Sequence, residues 1–231
     1  MRLELDVGNT RIKWRTMDHR GVFASGLDLK NEIESQARCM ELVDDVWVSS
    51  VHEEQNAWIA ERFPQAVFAQ SQISQAGLVN SYADVHKMGV DRWLAMLSAW
   101  SKRPNKAHII IDAGTALTLD LIDEFGRHVG GYICPGFNMM KKTLLGNTDQ
   151  VVAHEDWSAG RAPGNETQLC VDHGIQDMVV SWLEYHRKMQ PQAEIWLTGG
   201  DAPRLLSLMD SAVQYEADLV LDGLSVCFQK S

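Results

Sequence analysis

The chain is 231 residues long, 45% apolar and 23% charged, with a formal net charge of −10. That length fits one large domain or two of roughly 110 residues each, and the balance of apolar to charged residues excludes a disordered chain. The negative charge argues against the broad phosphate-backbone attraction of sequence-independent nucleic-acid binders, yet local cations, backbone N–H groups and a divalent metal could still hold an anionic small molecule.

From Arg2 to Trp14 apolar residues alternate. Leu3, Leu5 and Val7 share one face, and Ile12 and Trp14 resume after Gly8-Asn9-Thr10, which predicts strand, tight turn, strand. Val46-Trp47-Val48 reads as a short strand, and Glu53 to Phe63 and Trp93 to Trp100 carry helical spacing. The polar stretch Ser101-Lys102-Arg103-Pro104-Asn105 contains a helix-ending proline and marks an expected join between domains 1–105 and 106–231. A second hairpin begins at Ile109-Ile110-Ile111, turns at Asp112-Ala113-Gly114-Thr115 and resumes with Leu117, Leu119 and Leu121. Beyond it, Gly130-Gly131-Tyr132-Ile133 resembles a strand end, Gln168 to Lys188 and Pro203 to Met209 read as helices, and Glu194 to Leu197 as a strand. The second half thus repeats the first, and an α/β fold of two related sheet-and-helix units facing a cleft is expected. Met139, Met140, Trp93 and Trp100 are assigned to packing.

Cys39, Cys134, Cys170 and Cys227 are far apart and include no C-x-x-C pair, so reduced thiols are expected instead of a zinc site or a disulfide framework. The eight histidines are scattered without H-E-x-x-H spacing. No run of about 18 apolar residues could span a membrane, and the N-terminus enters a charged strand directly. A cytoplasmic protein is expected.

Asp6-Val7-Gly8-Asn9-Thr10 and Asp112-Ala113-Gly114-Thr115-Ala116 occupy the same place after their apolar strands. Glycine lets a backbone approach phosphate oxygens, turn N–H groups and threonine hydroxyls donate to them, and aspartate holds a hydrated cation. Lys13 adds a point charge nearby. One copy alone would be ordinary turn chemistry, and the repetition is what points to phosphates. No Walker loop or Rossmann fingerprint is present.

These paired turns resemble the phosphate loops of the acetate and sugar kinase, Hsp70 and actin superfamily, which implies two actin-like (ribonuclease H-like) domains with a nucleotide between them. Within it, Asp6 to Thr10 with Lys13, then Asn80-Ser81-Tyr82 and Met88-Gly89-Val90-Asp91-Arg92-Trp93, resemble the type III pantothenate kinase family. Further landmarks fall in that family's order: Asp112 to Thr118, Gly130 to Gly136, Thr167 ahead of Gly174-Ile175, and Thr198-Gly199-Gly200-Asp201-Ala202. The sequence departs from the family at Val85, where proline is common, and around Thr148 to Val151, where a leucine-proline pair is missing; local loop shape should differ there.

The resemblance implies ATP and pantothenate as substrates, Mg²⁺ and a monovalent cation (K⁺ or NH₄⁺) as cofactors, and a homodimer. Asp91 is then the general base that accepts the pantothenate hydroxyl proton; read from residues alone it caps a helix beginning near Arg92. Val7, Gly8, Asn9, Thr10, Arg11, Ile12, Lys13 and Thr115 join Asp6 at the nucleotide, with Asp6 holding Mg²⁺ through water and Asp112 the monovalent cation. Tyr82, Gly89, Val90, Arg92 and Thr167 join Asp91 at pantothenate, Thr167 across the dimer interface. Arg92 offers a fork for a carboxylate, or else a surface salt bridge. Sequence alone makes Thr167 a loop residue and Asp201 an N-cap beside Pro203, while the resemblance places Asp201 near the nucleotide, where a binding role stays equally open. Two alternatives stay open: a kinase of the same superfamily acting on a sugar or short-chain acid, and a non-catalytic nucleotide-binding regulator.

Overall fold

A computed structural model describes residues 1–23, 43–209 and 212–228; Cys39 lies outside the described residues. The chain forms two compact units, Met1–Arg103 with Asp218–Ser231, and Pro104–Ala217.

The first unit is built on strands β1 (Arg2–Val7), β2 (Ile12–Arg15), β3 (Arg20–Phe23), β4 (Asp45–Ser50) and β5 (Ala66–Phe68), in the order β3-β2-β1-β4-β5. β1 to β3 form an antiparallel meander, while β4 and β5 join β1 in parallel. The alternation read from the sequence places Leu3, Leu5 and Val7 in a core with Ile12, Val46, Val48, Ile59 and Phe63. Helix α1 (Glu53–Arg62) makes the crossover from β4 to β5, with acidic residues in its first turn and Arg62 in its last, as the helix dipole favours. A small hairpin, β6 (Ser74–Gln75) with β7 (Leu78–Val79), precedes helix α2 (Val90–Lys102). Trp93 and Trp100 of α2 are buried as expected.

The second unit has strands β8 (His108–Ala113), β9 (Ala116–Ile122), β10 (His128–Pro135), β11 (Glu194–Thr198) and β12 (Gln214–Tyr215), in the order β10-β9-β8-β11-β12. Three strands are again antiparallel and two join the first in parallel, so both units share one actin-like topology. Helices α3 (Phe137–Gly146), α4 (Thr167–Met189) and α5 (Ala202–Leu208) complete it, and α4 buries Val171, Ile175, Val179, Val180 and Leu183 against Ile109, Ile111 and Leu119. Gly130 to Ile133 lie within β10 and not at its end. Met140 packs against the core whereas Met139 is exposed, because neighbouring helical residues point about 100° apart. Cys134, Cys170 and Cys227 are free thiols. Among the described residues no helix is long and apolar enough to cross a membrane.

The C-terminal segment departs from the expected division at 105/106. Helix α6 (Leu219–Phe228) packs on α2, β1 and β4, and so returns to the first unit. The cause is α2, which is buried around nearly its whole circumference and needs a cover beyond the sheet. Charge fixes the return: Arg15 on β2 donates to Glu4 (2.7 Å) and to Asp222 of α6 (2.7 Å), and Lys102 lies 2.8 Å from Asp222. Burial pushes the Asp222 carboxyl up, but hydrogen bonds from Lys102 and Arg15 outweigh it and hold the group below the usual carboxylate range. A depressed folded-state value gives stability that is present above the unfolded value and lost as pH falls through the folded one. Asp222→Asn should therefore lower stability by about 2 kcal/mol at pH 7, with the deficit closing below about pH 4. Denaturant unfolding at both pH values measures it.

Candidate active site

Asp6 stands one residue before the end of β1, paired in register with Lys13 on β2 and Ser49 on β4. Ser49 Oγ donates to Asp6 Oδ1 at 3.1 Å. Burial pushes the Asp6 carboxyl up to about 6; Lys13 opposes the rise, Asp91 adds to it and the Ser49 hydrogen bond reduces it. Beyond β1, Gly8 N donates to Arg11 O at 3.0 Å, closing a turn that leaves Asn9, Thr10 and Arg11 exposed. Val7 and Ile12 point into the core, so of this expected nucleotide set they can offer backbone only.

Asp91 lies in the first turn of α2. The helix begins at Val90, with Gly89 in the capping position, so Asp91 is not the N-cap expected of it. Its Oδ1 accepts from Arg92 N at 2.8 Å. A Cβ on Gly89 would fall 2.5 Å from that oxygen, so only glycine lets the carboxylate fold back over the helix start. Arg92 is buried, which rules out a surface salt bridge; its guanidinium donates to Tyr82 Oη at 2.9 Å. Tyr82 is held in turn by Asn80, whose Oδ1 accepts from Tyr82 N at 3.0 Å. Val85 opens a single 3₁₀ turn, Val85–Lys87, whose N-cap Asp84 accepts from His86 N at 3.2 Å; the first position of a turn is one that proline also suits.

In the second unit Asp112 is paired in register with Thr118 and Thr198. Its turn is tied down by neighbours: Gly136 N donates to Thr115 O (2.9 Å) and Asp201 N to Ala113 O (2.8 Å). Gly199 has φ +97, and a Cβ there would lie 2.4 Å from both Asp112 Oδ1 and Ala113 O. Asp201 occupies the N-cap position of α5, yet its side chain makes no capping bond and stands 3.9 Å from Arg204. Thr167 is the first residue of α4 and not a loop residue; with Gly164, Asn165, Glu166, Cys170 and Met178 it lines an open cavity of about 690 Å³. Among the described residues no group of three or more His, Cys, Asp or Glu could hold a metal ion by itself.

Residues 2–188 match the type III pantothenate kinase family. A type III pantothenate kinase of Hahella chejuensis is 34% identical over 230 residues, covering 97% of this chain and 95% of that protein. Another, from Alcanivorax borkumensis, is 35% identical over 240 residues, covering 97% of each. The chain belongs to the type III pantothenate kinase family. Among solved structures, one from Campylobacter jejuni described as a Baf family transcriptional activator superposes with a TM-score of 0.65 at 20% identity, covering 96% of this chain and 95% of that one. The activator of 2-hydroxyisocaproyl-CoA dehydratase from Clostridium difficile, with bound ADPNP, gives 0.51 at 11% identity over 98% and 92%. Both likenesses bear on the fold alone.

For this member of the type III pantothenate kinase family, the first unit therefore gathers Asp6, Lys13 and Asp91 near one strand end and links Tyr82 to Arg92. Sequence reading missed Ser49, which no motif marks; its only signal is the register that sets it beside Asp6. Because Asp6 is raised in the folded state, its ionisation costs stability as pH rises from about 4 through 6. In metal-free buffer Asp6→Asn should stabilise the protein at pH 8 by about 3 kcal/mol, the rise from 3.8 to about 6 at about 1.4 kcal/mol per pH unit, and the gain should fade toward pH 4. Thermal unfolding across that range is the measurement, and no gain at pH 8 contradicts the assignment.

Proposed function

We propose that this chain transfers the γ-phosphoryl group of ATP to the primary hydroxyl of pantothenate, giving 4'-phosphopantothenate at the first step of coenzyme A synthesis. The observation that carries this reading is the electrostatic proximity of Asp6 and Asp91, in a chain whose family membership spans nearly its whole length. Asp91 orients the pantothenate hydroxyl and accepts its proton as the oxygen attacks phosphorus, and Gly89 keeps the carboxylate's approach open. Lys13 and the exposed turn Gly8–Arg11 receive phosphate oxygens through charge, backbone N–H groups and the Thr10 hydroxyl, with Thr115 a further nucleotide contact. Most of the rate comes from positioning and from charge stabilisation.

Two neighbouring carboxylates, one of them desolvated, suit a divalent cation, and Mg²⁺ held at Asp6 through water would offset their repulsion and that of the phosphates. Asp112, closely approached by the Gly199 backbone, is assigned the K⁺ or NH₄⁺ ion. Tyr82, Gly89, Val90 and Arg92 bind pantothenate, with the guanidinium of Arg92 facing its carboxylate, and Thr167 adds a contact from the partner protomer of a homodimer. Exposed Met178, Tyr185 and Met189 on α4 support such a dimer, an apolar strip on the helix that begins with Thr167. The net charge of −10 favours small-molecule partners over nucleic acid, and the cytoplasm is the proposed location.

Purified protein with ATP, Mg²⁺ and K⁺ should yield phosphopantothenate, identified by mass, only when pantothenate is present. Asp91→Asn should retain nucleotide binding and lose about 100-fold or more in kcat, since shape persists while the base is gone. Near-normal turnover rejects Asp91 as base. Exchanging K⁺ for Na⁺ at constant ionic strength should abolish most activity, and indifference removes Asp112 from the cation role.

A further inference from the structure

Residues 154–166 form no helix or strand, yet their backbone is systematically satisfied by side chains of the two flanking helices. His154 N donates to Gln168 Oε1 (2.6 Å), and Asp156 O accepts from both Lys141 Nζ (2.7 Å) and Gln168 Nε2 (3.1 Å). Ser158 N donates to Asp172 Oδ2 (2.8 Å) while Ser158 O accepts from Gln176 Nε2 (2.7 Å). At the centre, Lys141 of α3 and Asp172 of α4 form an ion pair of 2.7 Å, both side chains buried. Trp157 wedges into the same place, with Lys141 and Arg204 over its ring at 4.5 and 4.2 Å and its Nε1 donating to Asn138 Oδ1.

The strap climbs α4 as far as Arg161, which reaches Asp177 and Glu184, then folds back. Ala162 O meets His173 Nδ1 (2.7 Å) and Gly164 O meets Cys170 Sγ (3.3 Å), bringing the chain down to the start of α4. Its last residues, Gly164 to Glu166, form a wall of the cavity that Thr167 lines. A buried ion pair anchored by further hydrogen bonds to Asp156 O and Ser158 N holds its geometry, and loss of one partner leaves an uncompensated charge.

We propose that Lys141 and Asp172 are positioning residues for the acceptor: their pair clips the strap to α4 and so sets the wall of the cavity beside Thr167. This rests on the reading of Thr167 as a pantothenate contact. The pair's hydrogen bonds run to Asp156, Ser158 and Gln168 and not to the Gly114–Thr115 turn of the same unit, so the effect should be confined to one substrate.

The test compares wild type with Asp172→Asn and with the charge-free pair Lys141→Met/Asp172→Leu, which keeps the core filled if the single variant folds poorly. KM for pantothenate should rise 10-fold or more in both, while KM for ATP and kcat at saturating pantothenate change less than 3-fold, and limited proteolysis should cut faster between residues 154 and 164. A merely structural role would lower the active fraction, and with it apparent kcat, leaving both KM values unchanged; that pattern overturns the inference. A wild-type protein that does not phosphorylate pantothenate overturns the functional reading and this inference together, whereas an active wild type whose variants keep KM for pantothenate overturns this inference alone.

Discussion

Asp6 belongs to a strand paired on both sides, with β2 and with β4, and burial is the largest influence on its carboxyl. A group in that position resists ionisation unless its neighbours supply compensation, and the surroundings of β1 supply it in part: Lys13 from one flank, a Ser49 hydroxyl from the other. The compensation is incomplete because Asp91 adds a second negative charge. A carboxylate left short of counter-charge beside an exposed turn of backbone donors is poised for a cation accompanied by phosphate oxygens. The parallel pairing of β1 with β4 is what brings Asp6, Ser49 and the Gly8 turn to one strand end.

The same frame occurs twice with different occupants. Asp112 holds the place in β8 that Asp6 holds in β1, but its register partners are Thr118 and Thr198, where Asp6 has Lys13 and Ser49. The second strand end is thus lined by hydroxyls and carries no lysine partner in register. It is also tighter, since Gly136, Gly199 and Asp201 crowd its turn, whereas the Gly8–Arg11 turn is exposed. An exposed turn beside a lysine and a close, hydroxyl-lined one are different chemical devices, in keeping with the proposed division of labour between phosphate and monovalent cation.

The two turns were legible in the sequence because turn chemistry is local: aspartate and glycine after an alternating strand carry their meaning within five residues. Strand alternation and the long helix were legible for the same reason. What could not be read is whatever depends on distant partners. Arg15 and Asp222 are 207 positions apart, so nothing near Leu219–Phe228 reveals that this helix belongs with β1 and β4. Ser49 looks like an ordinary strand end until the parallel register is known. Gly89 and Val90 carry no capping signal, so apolar spacing alone starts α2 near Arg92 and puts Asp91 at its cap, one residue after the helix begins. The strap from His154 to Gly164 is invisible to periodicity, since side chains and not a ladder satisfy its backbone.

The return of α6 to the first unit makes the second unit an insertion within the first, entered after Arg103 and left before Asp218. Chain synthesis therefore completes the two in reverse order of their beginning. Residues 104–217 emerge as one contiguous stretch that can collapse as soon as it clears the ribosome, whereas α2 must wait with its apolar circumference uncovered until residues 219–228 arrive. During that interval the surface meant for α6 is open to any chaperone or neighbouring nascent chain, and the half of the protein that begins first is the last to become safe from aggregation.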